Sequence, residues 1–200
     1  PNYQHVAGRL INYHLRKQVY GDYAPWPLLK LVEHNVESGF YDRGLLEAYD
    51  TDEWEKLDSY IKHERDETFT YVAMEQWRGK YLVQNRVTGE MFETPQMAYM
   101  LIAATLFQDY PKDIRLKWVH DYYDAISNFD VSLPTPVMAG VRTPQKQFSS
   151  CVLIETDDSL DSINATAASI VKYVSQKAGI GIGAGRIRAL GAPIRKGDAF

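Results

Sequence analysis

Four glycines at every second position, Gly179, Gly181, Gly183 and Gly185, put bare backbone on one face of an extended segment, with Ile180 and Ile182 on the other. Positions without side chains weaken a strand, so either a ligand or a neighbouring strand must approach that face closely. The segment contains G-x-G, yet it follows a helical pattern and opens no helix, so it lacks the context of a dinucleotide fingerprint. Arg186, Arg188 and Arg195 come next, with Gly191 and Pro193 between them. Guanidinium groups on such a loop suit phosphate oxygens, which their planar fork meets with paired charge-assisted hydrogen bonds; solvated surface arginines are the plain alternative. Asp158, at a helix start, is either a cap or an acceptor for a sugar hydroxyl. Asp158 and the arginines together point to a nucleotide more than any one of them does. Cys151 is the only cysteine. It reads as a small buried hydrophobe, and a reactive role needs a second thiol that this chain does not supply. The histidines His5, His14, His34, His63 and His120 have no metal-binding spacing, and no metal is assigned.

The elements that must position these residues change character along the chain. Val6, Leu10, Tyr13 and Val19 recur at helical spacing over residues 5–20, and Gly21 stops them. Pro27 suits the first turn of a helix with Leu28, Leu31, Val32 and Val36 on its face, ending at Gly39. Asp50 and Glu53 form a capping-box pattern before Trp54, Leu57 and Ile61. Tyr81 to Val83 and Met91 to Phe92 flank a turn with Gly89, which predicts a short hairpin. Helices are expected over Gln96 to Phe107, apolar all round and therefore central, and over Ile114 to Ser127. From Pro134 to Gln147, prolines and Gly140 interrupt any periodic pattern. Residues 148–155 then form a nearly continuous apolar run, as a buried parallel strand would. Asp157, Asp158 and Ser159 supply a cap for a helix with Leu160, Ile163, Ala167, Ile170, Val171 and Val174 on one face, ending at Lys177. Strand, helix and glycine strand make a βαβ unit.

Composition bounds the possibilities. The 200 residues, net charge −4, form one sizeable domain or two small ones. All four Trp precede residue 151, where the composition turns richer in glycine. An acidic balance argues against nucleic acid as the main partner. The longest apolar run, Met97 to Phe107, is too short to span a bilayer, so no membrane role is expected. No basic-then-apolar leader opens the chain, so secretion is not expected. The chain opens on Pro1, the mark of a processed, trimmed or partial polypeptide.

Several long strings carry a family resemblance: SLPTPVMAGVRTP at 132–144, QFSSCVLIE at 147–155, DSLDSI at 158–163, GIGIGAGRIR at 179–188 and GAPIR at 191–195. HLRK at 14–17 and KYLVQNRVTG at 80–89 extend the match upstream. The chain resembles the catalytic (large) subunit of class Ia ribonucleotide reductase, in its N-terminal to middle portion. The resemblance implies an α+β chain: a mostly helical domain over 1–147, with 1–20 the end of an ATP-binding activity domain, and the first strands of a ten-stranded α/β barrel over 148–200. It implies that Cys151 is one of two thiols that reduce the ribose and become a disulfide. Thr135, Ser150, Cys151, Ala178 and Gly179 match substrate contacts. Asp158, Ser159, Leu160, Arg188, Ile194 and Arg195 match a site for an allosteric deoxynucleoside triphosphate, and Lys17 matches an ATP contact. In the family the radical cysteine, its helpers and the partner thiol lie beyond Phe200. Asp157 stands where the family has a small residue, adding negative charge near a triphosphate, and Gly183 stands where it has Asn.

The function so implied is reduction of ribonucleotides to deoxyribonucleotides by radical chemistry in the cytoplasm, under ATP and dNTP control. No cofactor is bound directly. The implied partners are the rest of the catalytic subunit, a second large subunit in a homodimer, a small subunit whose metal centre generates the radical, and thioredoxin or glutaredoxin. This chain alone is expected to be inactive. A reading from another class is a non-catalytic nucleotide-binding module, regulatory or for assembly, that docks on a reductase. It would keep Asp158, Arg188 and Arg195 and tolerate loss of Cys151. The plainest reading is a helical scaffold with an incidental βαβ unit, which no deoxynucleotide would stabilise.

Overall fold

The computed structural model describes residues 2–176 and 178–193. The chain divides into two compact units, Pro1–Phe148 and Ser149–Phe200.

The first unit is helical and is organised around α6 (Pro95–Phe107). Every residue from Pro95 to Ala104 is buried. This follows from a sequence apolar on all sides, which has no solvent face to offer. α7 (Lys112–Ser127) packs on it through Val119, Tyr123 and Ile126. The capping box expected at the start of α4 (Thr51–Tyr60) is present, since Asp50 Oδ1 accepts from Glu53 N at 2.9 Å and Glu53 Oε2 from Asp50 N at 3.0 Å. Glu53 also takes Arg115 Nε on Oε1 at 2.7 Å, so one carboxylate caps α4 and ties it to α7. α2 (Leu28–Glu37) has Pro27 as its N-cap rather than in its first turn, and Gly39 follows it at φ +76°.

α1 (Tyr3–Tyr20) ends as expected on Gly21 in the left-handed region, its N–H donated to Lys17 O at 3.1 Å. Its packed face is a correction. Val6, Leu10 and Tyr13 are exposed, while Gly8, Asn12, Leu15 and Tyr20 are buried. Gly8 is the cause: a Cβ there would overlap the Phe69 carbonyl and lie 2.9 Å from Thr70 C, so the helix meets the 69–70 backbone on its bare side. The hairpin over 81–92 is also smaller than its residues suggest. Tyr81 belongs to a π turn (Trp77–Tyr81), and pairing is limited to the Gln84–Met91 bridge with flanking bonds such as Phe92 N to Val83 O at 3.1 Å. The α3 helix (Arg43–Ala48) and α5 helix (Tyr71–Gln76) fill stretches without a periodic signal. The Pro-interrupted stretch holds a short helix, α8 (Thr135–Gly140), because Pro136 in its first turn removes no helical hydrogen bond.

In the second unit, β1 (Cys151–Glu155) and β2 (Gly179–Gly183) are parallel, joined through α9 (Leu160–Ser175). The register sets Cys151 beside Gly179, Leu153 beside Gly181 and Glu155 beside Gly183. α9 lies on the opposite face, where Thr156 and Thr166 share a 2.9 Å hydroxyl hydrogen bond. Two expectations are corrected here. β1 is not buried, as Leu153 is 85% exposed, because a single helix covers only one face of the two strands. The apolar stripe on α9 is likewise open, with Leu160, Ile163, Val171 and Val174 exposed. Gly185 lies beyond β2, in a turn closed by Ile187 N to Ala184 O at 3.1 Å.

Candidate functional site

The parallel strands separate two groups of residues, one at each end. At the amino end, Cys151 opens β1 and is exposed. A Cβ on Gly179 would lie 3.4 Å from Cys151 Sγ and 3.4 Å from Ser150 O. Gly179 N donates to Ser150 O at 2.9 Å, and Ala178 is buried beside it with its N–H on Tyr173 O at 3.2 Å. Ser150, Cys151, Ala178 and Gly179 are thus brought together, with the thiol open on the bare side of the sheet. The glycine face has a local explanation further along. A Cβ on Gly181 would sit 2.6 Å from a Leu153 methyl, and one on Gly183 would strike the Glu155 carboxylate. Cross-strand side chains from β1 therefore occupy the space that the glycines leave.

At the carboxyl end, about 13 Å away by strand rise, the loop into α9 meets the turn after β2. The helix cap is Ser159, whose Oγ accepts from Ser162 N at 3.1 Å. This leaves Asp158 for Arg188, whose Nε donates to Asp158 Oδ2 at 2.7 Å while Nη1 donates to Pro193 O at 2.7 Å. Asp157 takes Arg186 Nη1 at 3.1 Å, and its backbone N–H is held by Ser162 Oγ at 2.9 Å. Asp157 first, and Glu155 after it, hold the Arg186 guanidinium above its ordinary pKa. Leu160 is 85% exposed at the first turn of α9. The group gathers two arginines, the amino end of a long helix and the carboxyl ends of parallel strands, where α/β proteins place anionic ligands. Ile194 and Arg195 lie outside the described residues.

Two candidate residues belong to the helical unit. Thr135 is the exposed first residue of α8, and Lys17 is exposed in the last turn of α1, its ammonium 5.7 Å from the Tyr23 ring centre. Among the described residues no group of three His, Cys, Asp or Glu side chains could hold a metal ion. None of their helices is long and apolar enough to cross a membrane.

One network went unread in the sequence. Arg142 is wholly buried, with Nε on Glu93 Oε2 at 2.7 Å, Nη1 on Met138 O at 2.7 Å and Nη2 on Tyr81 O at 3.0 Å. Tyr41 OH donates to Glu93 Oε2 at 2.5 Å and Val83 N to Oε1 at 2.7 Å. Burial raises the Tyr41 hydroxyl pKa well above its ordinary value, helped by the Glu93 charge. Burial opposes the charge on Arg142, and Glu93 more than offsets it, so the guanidinium pKa stays above its ordinary value. The network fixes the end of α8, the helix that carries Thr135. A signal was available: Arg142 is the only charged residue between Asp130 and Lys146.

Residues 67–146 match the all-alpha domain of ribonucleotide reductases, and residues 149–199 match their barrel domain. The two matches together cover more than half of the chain. The chain belongs to the ribonucleotide reductase large-subunit family. The subunit alpha of ribonucleoside-diphosphate reductase 1 from Escherichia coli is 60% identical to this reductase segment over all 200 residues. The subunit alpha of the Haemophilus influenzae reductase is likewise 60% identical over 200 residues, and that of Enterobacteria phage T4 is 52% identical over 198. In each case the segment spans 26% of the relative's length. The fold is accordingly that of the family's helical domain followed by the start of its barrel domain.

Proposed function

We propose that this segment works within the large subunit of a ribonucleoside-diphosphate reductase, an oxidoreductase that converts ribonucleotides to deoxyribonucleotides by radical chemistry. Cys151 is the redox-active thiol. Together with a second thiol from outside this segment it gives two electrons and two protons, the ribose 2′-hydroxyl leaves as water, and the two sulfurs join in a disulfide. Thioredoxin or glutaredoxin then reduces that disulfide. Thr135, Ser150, Ala178 and Gly179 contact the substrate. Asp158, Ser159, Leu160, Arg188, Ile194 and Arg195 form a site for a deoxynucleoside triphosphate effector, and Lys17 contacts ATP at the end of an activity domain over residues 1–20. The helical domain runs over 1–147 and the barrel begins at 148. The assembly is cytoplasmic, with two large subunits and a small subunit whose metal centre supplies the radical.

The observation that carries the reading is the placement of Cys151 at the start of β1 in register with Gly179, a strand partner with no side chain, so that only backbone borders the sulfur on that side. The test is Cys151→Ser in the complete assembly. Multiple turnover with thioredoxin should be abolished, and undiminished steady-state turnover would refute the reading. The same variant disposes of a purely regulatory module, for which Cys151 is dispensable.

A further inference from the structure

Arg186 and Arg188 lie two residues apart in the same turn, yet they are held differently. Arg188 is about two-thirds covered and braced by Asp158 and the Pro193 carbonyl. Arg186 is 64% exposed, and its one hydrogen bond among the described residues goes to Asp157, itself 65% exposed. Arg188 is thus held in place before any ligand arrives, while Arg186 carries a charge that can be redirected at little cost, since exposed ion pairs are weak.

Asp157, by contrast, cannot follow Arg186 away. Its N–H is fixed to Ser162 Oγ, its carbonyl accepts from Ser159 N at 2.9 Å, and Thr156 before it donates to Gly183 O at 3.0 Å. The backbone that carries the carboxylate is therefore anchored at the mouth of the loop whether or not Arg186 is on it. There is open space beside the turn that bears Arg186, as nothing lies within 4 Å of a Cβ placed on Gly185. Glu155 adds a second carboxylate near Arg186.

We infer that Arg186 is a phosphate-binding residue of the effector site and that Asp157 is its resident counter-ion, which a polyphosphate must displace. The inference rests on the nucleotide reading of this end of the sheet and deepens it. Asp157 sets the effector's affinity without touching it: each binding event exchanges an Arg186–carboxylate pair for an Arg186–phosphate pair. The exchange favours ligands with several phosphate charges, because each further oxygen strengthens the guanidinium's new contact while the cost of leaving Asp157 stays the same. A nucleoside without phosphates gains nothing from it.

The test is a double-mutant cycle on binding of thymidine 5′-triphosphate to a complete reductase subunit containing this segment, with thymidine as the phosphate-free control. Asp157→Asn should tighten triphosphate binding about three- to fivefold and leave thymidine unchanged. Arg186→Gln should weaken triphosphate binding, and in that background Asp157→Asn should change it less than twofold. Equal tightening in both backgrounds would overturn the proposal, because Asp157 would then act by general repulsion. So would no tightening in the otherwise unaltered subunit. If the unaltered subunit binds no triphosphate, the nucleotide reading itself falls, an outcome distinct from the other two.

Discussion

Asp66 is fully buried between helices, with Oδ1 accepting from Gln96 Nε2 at 2.9 Å. Gln96 in turn accepts from Tyr123 OH at 2.6 Å. Desolvation pushes the Asp66 carboxyl up to about 7, against the Gln96 hydrogen bond and the Arg16 charge, with Glu67 adding to the rise. Three residues earlier, burial and Arg16 push His63 down to about 4. The two act oppositely on stability. Between about pH 4 and 7 the folded state holds a proton on Asp66 that the unfolded chain releases, so stability falls as pH rises. Between about pH 4 and 6.5 the unfolded chain protonates His63 and the folded state does not, so stability rises with pH. Their slopes, each at most about 1.4 kcal/mol per pH unit, nearly cancel over the shared window. Asp66→Asn should therefore unmask a stability that climbs from pH 4.5 to 6.5, and His63→Gln one that declines, in chemical denaturation at a series of pH values. Parallel profiles for the two variants would contradict this pairing. None of it is legible in the sequence, because a run of charged residues such as Glu64, Arg65 and Asp66 does not state which of them the fold buries.

Elements were legible where their signals are local. The Asp50–Glu53 capping box and the Gly21 stop are satisfied within a few residues of chain, and the structure shows both. The packed face of α1 was not legible, since Gly8 matters only once the 69–70 backbone is against it. The sequence offers Asp157, Asp158 and Ser159 together as the cap of α9, and only the fold assigns the role to Ser159 and releases Asp158 to Arg188. α8 depends on contacts even more distant in sequence, because Arg142 reaches Glu93 and Tyr81. Glu93→Gln leaves the guanidinium buried without its counter-charge and should cost about 3–5 kcal/mol. Hydrogen exchange should show the loss concentrated in residues 135–142 and 81–93. A cost below about 1 kcal/mol, typical of exposed pairs, would mean that the network does not hold α8.

At the scale of the molecule the two units differ in how they are stabilised. The described buried apolar residues lie in the helical unit, apart from Ala178. Composition carried part of this difference, as the aromatic-rich stretch is also the one with the core. The open faces of β1, β2 and α9 could not be read from their apolar sequence, because hydrophobicity states what a face prefers and not whether a neighbour is there. The segment spans 26% of its E. coli relative, so the role proposed for Cys151 is tested in a complete subunit. The central claim is that Cys151 changes oxidation state during turnover. The most direct measurement is differential alkylation of Cys151, read by mass spectrometry, after a complete reduced reductase has turned over ribonucleoside diphosphate without external reductant. Cys151 should be protected from alkylation in step with the deoxyribonucleotide formed and recover on adding thioredoxin. If product forms while Cys151 stays fully alkylatable, the thiol is not the reductant and the account is wrong.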